Sequence, residues 1–304
     1  MPALVNADLH LDMWLHQGRD PFTALDPQPL QSLDALIIAG DLSNKPKIRW
    51  PQMIDHLGQY IAPDRIHILP GNHDYYGLAL DDDARLATIC AEAGADFAQK
   101  ARIVTSDIRF LCCTLWTDFA LHGNPAQAMM IAQRDMNDYQ YIRHAGSGYR
   151  RFQPSDTALI HVEHRIWLEE RLIEPYAGQT IVVTHHCPHP DLIGARRGDL
   201  DPIYGSNLLP LIERYQPQGW LFGHTHYRVD GLAGHTFIRN VSLGYPDQVP
   251  CGAERAILLR GLVTTDGTKG MEMLRTRAGR ADIAAARNIL NQAVPDVPQD
   301  EGDE

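Results

Sequence analysis

The sequence predicts an α/β protein, a four-layer α-β-β-α sandwich of two mixed sheets with flanking helices. Short apolar runs of β-type composition recur along the chain, and turn residues follow each run closely. The first half alternates these runs with helical segments, whereas the second half is richer in consecutive strands. At 304 residues the chain is long enough to bury a sizeable core without disulfides. These three observations favour two packed sheets with helices outside them.

The predicted strands lie, in chain order, at residues 3–8, 34–40, 65–70, 102–105, 108–115, 180–184, 219–222, 226–232, 235–240 and 256–263. The run at 34–40 is continuous and apolar, as expected for a strand that is buried on both faces. The predicted helices lie between the strands, at residues 48–61, 81–94, 126–136, 156–173 and 207–215. This pattern suggests an α/β core of two packed sheets with helices outside.

We expect one domain over residues 1–291 and a short acidic tail at 292–304. Residues 296–304 contain five acidic residues and no basic one, which is typical of a disordered, solvated segment. Residues 116–154 lack clean periodicity and predict a long, partly helical excursion. Long excursions from compact domains are often functional, so we expect this one near the functional site.

The net charge of -11 argues against a non-specific nucleic-acid binder and against a polybasic membrane anchor. No apolar run approaches the roughly 20 residues that a membrane-spanning helix needs, and the first residues lack a signal-peptide pattern. The five cysteines show no CxxC spacing, which predicts reduced thiols rather than disulfides or a thiolate zinc site. We therefore expect a cytoplasmic protein with no membrane contact and with nucleic acid disfavoured as a partner. The sequence leaves the oligomeric state open.

Polar side chains that can bind metals follow five of the predicted strands. Asp8 ends the first strand and His10 lies two residues later, and residues i and i+2 of an extended chain point to the same face. The remaining candidates occupy the ends of later strands and are Asp41, Asn72, His185, His224 and His226. Strand ends at one sheet edge are where ligand sites of α/β proteins collect. The seven side chains are therefore candidates for one site.

The residue types of this set fit a site for two metal ions. Carboxylate, amide and imidazole groups suit Mn, Fe or Zn, and the set offers no thiolate. Two ions roughly 3.5–4 Å apart need a bridging carboxylate, and together they can lower the pKa of a shared water. Glycine precedes Asp41, Asn72 and His224, which lets the backbone pass close to the ions. We expect two divalent or mixed-valence ions.

The motifs DxH, GD, GNHD, a histidine after an apolar strand, and GHTH follow one another between Asp8 and His226. In this order they resemble the calcineurin-like metallophosphoesterase superfamily, and in particular its stand-alone bacterial phosphoesterases. The resemblance implies one metal held by Asp8, His10 and His226, another held by Asn72, His185 and His224, and Asp41 as the bridge. It also implies that a metal-bound hydroxide attacks phosphorus in line.

The same resemblance implies roles for the two residues that complete the GNHD motif. His73 would face the phosphate, where it protonates the leaving oxygen or stabilises the developing charge. Asp74 joins it in the catalytic motif as the residue that orients the loop. Further candidates for contacts with the substrate are Tyr75, His189, Arg134 and Asn137. An aromatic ring beside GNHD could floor a pocket, and an arginine fork could clamp a phosphate.

The predicted function is dinuclear-metal-dependent hydrolysis of a small soluble phosphoester. Aromatic residues flank the motifs and the chain carries no protein-docking appendage, so a phosphodiester or a nucleotide is slightly favoured. One alternative is a nuclease acting on single-stranded or nicked nucleic acid, which would need a basic groove despite the acidic total. The other alternative is a non-catalytic interaction module that keeps the fold as a scaffold.

Overall fold

A computed structural model describes residues 2–194 and 198–264 of the chain. Met1–Thr265 form one compact unit. The expected domain end at residue 291 and the expected acidic tail at 292–304 lie outside the described residues. Within the two described ranges, no helix combines the length and apolar character needed to cross a membrane.

The strands of the described ranges are β1 (Ala3–Asn6), β2 (Ala35–Ala39), β3 (Ile66–Leu69), β4 (Asp96–Phe97), β5 (Ala101–Thr105), β6 (Ile108–Cys113), β7 (Arg143–His144), β8 (Arg150–Arg151), β9 (Gln179–Thr184), β10 (Gly219–Phe222), β11 (Asp230–Ala233), β12 (Thr236–Asn240) and β13 (Leu262–Val263). The helices are α1 (Leu11–His16), α2 (Pro27–Gln31), α3 (Pro46–Leu57), α4 (Asp83–Glu92), α5 (Pro125–Asp135), α6 (Asp138–Tyr141), α7 (Pro154–Ile173), α8 (Asp201–Tyr204), α9 (Leu209–Tyr215) and α10 (Glu254–Leu258).

Two large mixed sheets form the centre of the fold, which confirms the predicted fold class. The first sheet has the order β13-β1-β2-β3-β4, with β1 to β4 parallel and β13 antiparallel to β1. The second has the order β11-β12-β10-β9-β6-β5, and its four central strands are parallel. A bridge between Ala7 and Ser242 joins the two sheets just beyond β1.

Alternating side chains along the strands build separate apolar layers. Val5 and Val183 belong to the cluster between the two sheets. Leu36 faces the other way and packs with Trp50 of α3 in the cluster that covers the first sheet. Trp220 belongs to a third cluster, in which α7 and α9 cover the second sheet. The period-2 alternation of each strand thus produces the four layers.

Two of the predicted strands are wrong in place or type. Residues 256–263 do not form one strand, because α10 is followed by a 3-10 helix, Leu259–Gly261, before the short β13. A continuous apolar run fits a buried helix as well as a strand, and here Ile257 and Leu258 bury their side chains from the helix. The strand predicted at 226–232 begins only at Asp230, since His224 and His226 adopt left-handed backbone conformations.

Candidate metal centre

The seven predicted ligands follow the carboxyl ends of β1, β2, β3, β9 and β10, the strands that form the middle of both sheets. Five of them have positive φ angles between 39° and 65°, namely Asp8, His10, Asp41, His224 and His226. Such a conformation costs non-glycine residues roughly 1–3 kcal/mol each and clusters at functional sites. The left-handed turns stop each strand abruptly and direct the ligand side chains toward a common centre.

Glycines allow the backbone to approach the centre closely. A Cβ on Gly71 would collide with Asp41 Oδ1 and would lie 2.6 Å from Cε1 of His185. A Cβ on Gly40 would collide with Nδ1 of His185, and one on Gly223 would collide with Ala7. The glycine of each of the three motifs is therefore required by the proximity of a ligand side chain or of the first strand.

Asp8, His10 and His226 form one group of convergent ligand atoms. Nε2 of His226 lies 3.3 Å from Asp8 Oδ1 and 3.2 Å from Nε2 of His10. The carboxylate of Asp8 is oriented from behind, because it accepts hydrogen bonds from Ser242 Oγ at 2.6 Å and from the His224 amide at 2.9 Å. These hydrogen bonds fix the Asp8 carboxylate, and the ligand atoms of the three residues face one another.

Asp41 lies between this group and the remaining predicted ligands. Its Oδ2 is 3.9 Å from Nε2 of His10 and 3.6 Å from Nε2 of His185. Oδ1 of Asn72 lies 3.1 Å from the same His185 nitrogen. The ring of His224 is 5.0 Å from that of His185, centroid to centroid. One carboxylate oxygen therefore lies between histidines of the two predicted ligand sets.

The donor chemistry of the centre fits divalent cations. His185 donates from Nδ1 to Ala39 O at 2.9 Å, and His226 donates from Nδ1 to Gln248 Oε1 at 2.8 Å. Each of these bonds leaves the Nε2 lone pair pointing into the centre, as metal-ligating histidines require. The residues present therefore fit the metals that the motifs imply.

The pKa shifts of the predicted ligands also indicate that these side chains can bind cations. Burial lowers the pKa of His10 well below its ordinary value, and burial also lowers the pKa of His185. Both imidazoles are therefore neutral and can bind a cation. Burial, together with the nearby carboxylates of Asp74 and Asp8, raises the pKa of Asp41. A bound cation would supply the positive charge that this buried carboxylate requires.

His73 lies at the edge of the centre, where a ring nitrogen groups with donor atoms of His10 and Asp41. Its Nδ1 pairs with Asn44 Oδ1 at 2.9 Å, and its backbone amide donates to Asp41 Oδ1 at 3.0 Å. Burial, with a contribution from His226, lowers the pKa of His73 to about 3. In the absence of an anion, its imidazole is therefore neutral.

Asp74 lies beneath the centre rather than facing it. Its carboxylate accepts hydrogen bonds from the amides of Asp41 at 2.7 Å, Gly71 at 2.8 Å and Ser43 at 3.3 Å. The indole of Trp50 donates a fourth bond at 3.0 Å. Burial raises the pKa of Asp74 to about 7, against these four bonds, which favour the charged form. Its contacts connect the GD and GNHD loops.

Three further side chains lie next to the centre, and of these only Tyr76, beside GNHD, is an aromatic candidate from the sequence. Tyr76 places its ring 4.5 Å from that of His73, and Tyr245 stacks on His10 at 4.3 Å. Asp138 is buried and accepts hydrogen bonds from Asn72 and from Tyr76. Asp138 belongs to the RDMND stretch of the excursion, but one sequence contains no signal for a contact across 66 positions.

The predicted substrate contacts do not gather at the centre. Tyr75 is 1% exposed in the hydrophobic core and donates its hydroxyl to Asp83, so the ring beside His73 belongs to Tyr76 instead. Arg134 forms an exposed ion pair with its neighbour Asp135.

The other two predicted contacts have local roles in the structure. His189 accepts a hydrogen bond at Nδ1 from the Asp191 amide and so caps the short helix Pro190–Leu192. Asn137 is half-buried and precedes α6, where its carbonyl accepts the Tyr141 amide at 2.9 Å.

Residues 1–228 match the family described as calcineurin-like phosphoesterase. The chain is 27% identical over 268 residues to the uncharacterized protein L509 of Acanthamoeba polyphaga mimivirus, which covers 79% of this chain and 89% of that protein. Its fold is similar to that of phosphopantetheinyl hydrolase from Mycobacterium tuberculosis, with a TM-score of 0.64, 19% identity and coverage of 83% and 91%. A putative 5′-nucleotidase from Staphylococcus aureus is 13% identical, with a TM-score of 0.44 and coverage of 79% and 48%.

The matched range contains every strand end and every ligand of the candidate centre. It also contains the five motifs in their expected order, which confirms the resemblance found in the sequence. The chain belongs to the calcineurin-like phosphoesterase family and is a metal-dependent hydrolase that acts on phosphoester bonds.

Proposed function

We propose that this protein is a dinuclear phosphohydrolase of a small soluble phosphoester, with a phosphodiester or nucleotide as the favoured substrate. The observation that carries the proposal is the position of Asp41. Its Oδ2 is within 4 Å of His10 Nε2 and of His185 Nε2, one histidine from each ligand set. A shared carboxylate oxygen between two sets of donors is the arrangement that a bridged pair of ions requires.

The proposed ligands divide between two ions. Asp8, His10 and His226 would hold one ion, Asn72, His185 and His224 would hold the other, and Asp41 would serve both sets. When bound, the pair supplies positive charge for the phosphoryl oxygens and lowers the pKa of a water molecule. Mn, Fe and Zn all suit this set of oxygen and nitrogen donors.

His73 is the proposed residue for the leaving group. Its contact with Asn44 fixes Nδ1, so the opposite nitrogen, Nε2, faces the substrate. A bound phosphoester anion favours the protonated imidazole, and the proton at Nε2 then passes to the leaving oxygen. Asp74 acts through the loops that it connects and does not touch the substrate. Tyr76 keeps its proton, because burial and Asp138 raise its pKa well above 10.

Aromatic rings beside the centre support the preference for a diester or nucleotide. Tyr245 flanks His10, and Tyr76 flanks His73. The ring of Tyr141, which is 46% exposed, lies 5.4 Å from that of Tyr76 and extends the row to the surface. A planar or apolar group beyond the phosphate can pack on such rings. The similar Mycobacterium fold is named a phosphopantetheinyl hydrolase, so a phosphopantetheinyl ester belongs in the substrate panel.

Parallel assays on bis-p-nitrophenyl phosphate and p-nitrophenyl phosphate test the proposal, with Mn, Zn, Fe and Mg each added to EDTA-treated protein. We expect Mn to activate best and the diester to react faster. The variant Asp41→Asn should lose metal-dependent turnover, whereas Asp83→Asn, which alters a carboxylate outside the centre, should keep it. Full activity of the Asp41→Asn variant would refute the assignment.

We infer that a nuclease is disfavoured, because two arginines near the motifs have acidic partners. Near the motifs, Arg49 pairs with Asp12, and Arg19 pairs with Glu254. Paired arginines leave little positive charge to attract a nucleic-acid backbone. A single-stranded oligonucleotide in the same assay should remain intact under conditions that hydrolyse the diester.

For the compartment, we propose the cytoplasm, since Cys90, Cys112, Cys113 and Cys187 are buried free thiols.

A further inference from the structure

Asp138 is a buried carboxylate without a role in the proposed reaction. It begins α6 inside the excursion and is 2% exposed. Its Oδ1 accepts a hydrogen bond from Nδ2 of Asn72 at 2.9 Å and another from the Tyr76 hydroxyl at 2.7 Å. Both donors belong to the loop that also carries His73. One carboxylate oxygen therefore contacts the residues on both sides of the proposed leaving-group histidine.

The contact with Asn72 determines which way its side-chain amide points. Oδ1 of Asp138 accepts the Tyr76 hydroxyl as well, and as an acceptor it selects the NH2 end of the amide. The oxygen end must then point to the opposite side, where Oδ1 lies 3.1 Å from His185 Nε2. A hard cation binds an amide oxygen and not the NH2 nitrogen. With the reverse orientation, Asn72 could not serve as a ligand.

Backbone hydrogen bonds hold the excursion against the chain that follows the GNHD loop, and they fix the position of Asp138. The Leu80 amide donates to Arg143 O at 2.8 Å, and the Arg143 amide donates to Leu78 O at 3.2 Å. The carboxylate of Asp81 accepts hydrogen bonds from the Ala145 amide at 2.8 Å and from the next amide along the chain at 2.7 Å. The chain after Tyr76 and the chain after α6 therefore move together.

We propose that Asp138 is a positioning residue, which holds the Asn72 amide with its oxygen toward the metal centre and so makes residues 116–154 part of the site. The inference rests on the proposed function, in which Asn72 holds one of two ions. It assigns the excursion a task in metal binding that is separate from any contact with the substrate. Outer partners of metal ligands typically change metal affinity about 10–100-fold when they are removed.

Titration of EDTA-treated protein with Mn, followed by the paramagnetic resonance signal of free Mn, gives a binding curve from which the number of bound ions and their affinities are fitted. We expect Asp138→Ala to weaken one of the two ions about 10–100-fold and to leave the other unchanged. Asp138→Asn keeps an acceptor oxygen and should retain most of the affinity. Tyr139→Phe is the matched control, because its hydroxyl pairs with Thr157 Oγ1 at 3.1 Å. Both ions bound by Asp138→Ala with the wild-type affinity, or equal losses in the Ala and Asn variants, would overturn the proposal.

A double-mutant cycle in EDTA tests the contact without metal. We expect the urea midpoint to shift less for Asp138→Ala when Asn72→Ala is already present, because the two residues interact directly. Additive shifts would overturn the proposal. Should the wild-type protein bind only one Mn, the dinuclear function fails, while the cycle still decides whether Asp138 holds Asn72.

Discussion

Substitution of Asp74 by asparagine should destabilise the protein even when no metal is present. Oδ2 of Asp74 accepts the amides of Asp41 and Gly71, and Oδ1 accepts the amide of Ser43 and the indole of Trp50. Both oxygens are thus surrounded by donors. An asparagine at this position must turn its NH2 group toward one of the two pairs, and that pair then lacks an acceptor.

The expected loss of unfolding free energy follows from the number of hydrogen-bond donors that lose their acceptor. Each buried donor without an acceptor costs roughly 1–3 kcal/mol, and Asp74→Asn leaves two of them. We therefore expect the free energy of unfolding to fall by about 2–6 kcal/mol. Because domains of ordinary stability unfold at about 5–15 kcal/mol, this change is a large fraction of the total.

Urea denaturation in EDTA, followed by tryptophan fluorescence, measures this change at a pH above the Asp74 pKa of about 7, where both carboxylate oxygens accept hydrogen bonds. Asp83→Asn is the matched control, since Asp83 accepts a hydrogen bond from the Tyr75 hydroxyl at 2.6 Å and an amide oxygen can still accept it. We expect the control to lie within about 1 kcal/mol of the wild type. The reasoning is refuted if Asp74→Asn also stays within that range, or if the control is destabilised as much.

Three further predictions concern the centre and the packing behind it. Gly71→Ala should abolish Mn binding, measured by titration, because the new Cβ collides with Asp41 Oδ1. Gln248→Met should weaken Mn binding about 10–100-fold, because His226 loses the acceptor that orients its ring. Burial lowers the pKa of His164 to about 3, so this residue stays neutral in the folded protein but gains a proton in the unfolded chain below about pH 6.5. Stability should therefore fall on acidification, by about 2 kcal/mol between pH 7 and pH 5 from this residue, and His164→Gln should remove that part in urea titrations.

Each of the three has a result that would contradict it. Two Mn ions on Gly71→Ala would show that the loop can retreat from the carboxylate. Unchanged affinity in Gln248→Met would mean that the tilted ring contact with Tyr245 is enough to orient His226. For His164→Gln, a pH dependence of stability parallel to that of the wild type would assign the loss to other groups.

The fold class and the ligand set could be predicted because both depend on local patterns. Apolar runs followed by turn residues indicate the strands, and the ligands lie directly at the ends of those runs, as Asp41 does after β2. The strand prediction at 226–232 was wrong at its start because of the backbone conformation that the site requires. His226 takes a left-handed conformation to face the centre, and an extended strand cannot include such a residue.

The surroundings of the ligands could not be predicted, since they depend on contacts between distant parts of the chain. Tyr75 and Tyr76 are adjacent and identical, and only the direction of the loop determines which ring faces His73 and which enters the core. Asp138 and Gln248 reach their ligands across 66 and 22 positions. Nothing in a single sequence distinguishes these partners from other polar residues of loops.

The centre draws its ligands from the ends of both sheets, and His10 and His226, which are assigned to the same ion, are 216 positions apart. An ion bound there would therefore act as a cross-link that closes a very large loop of the chain. Cross-links of large loops remove many conformations from the unfolded chain. A chain cut once within the excursion would still have its two fragments linked through the ion, and a chelator would release that link. The same ions that serve hydrolysis would thus also hold the two halves of the sandwich together.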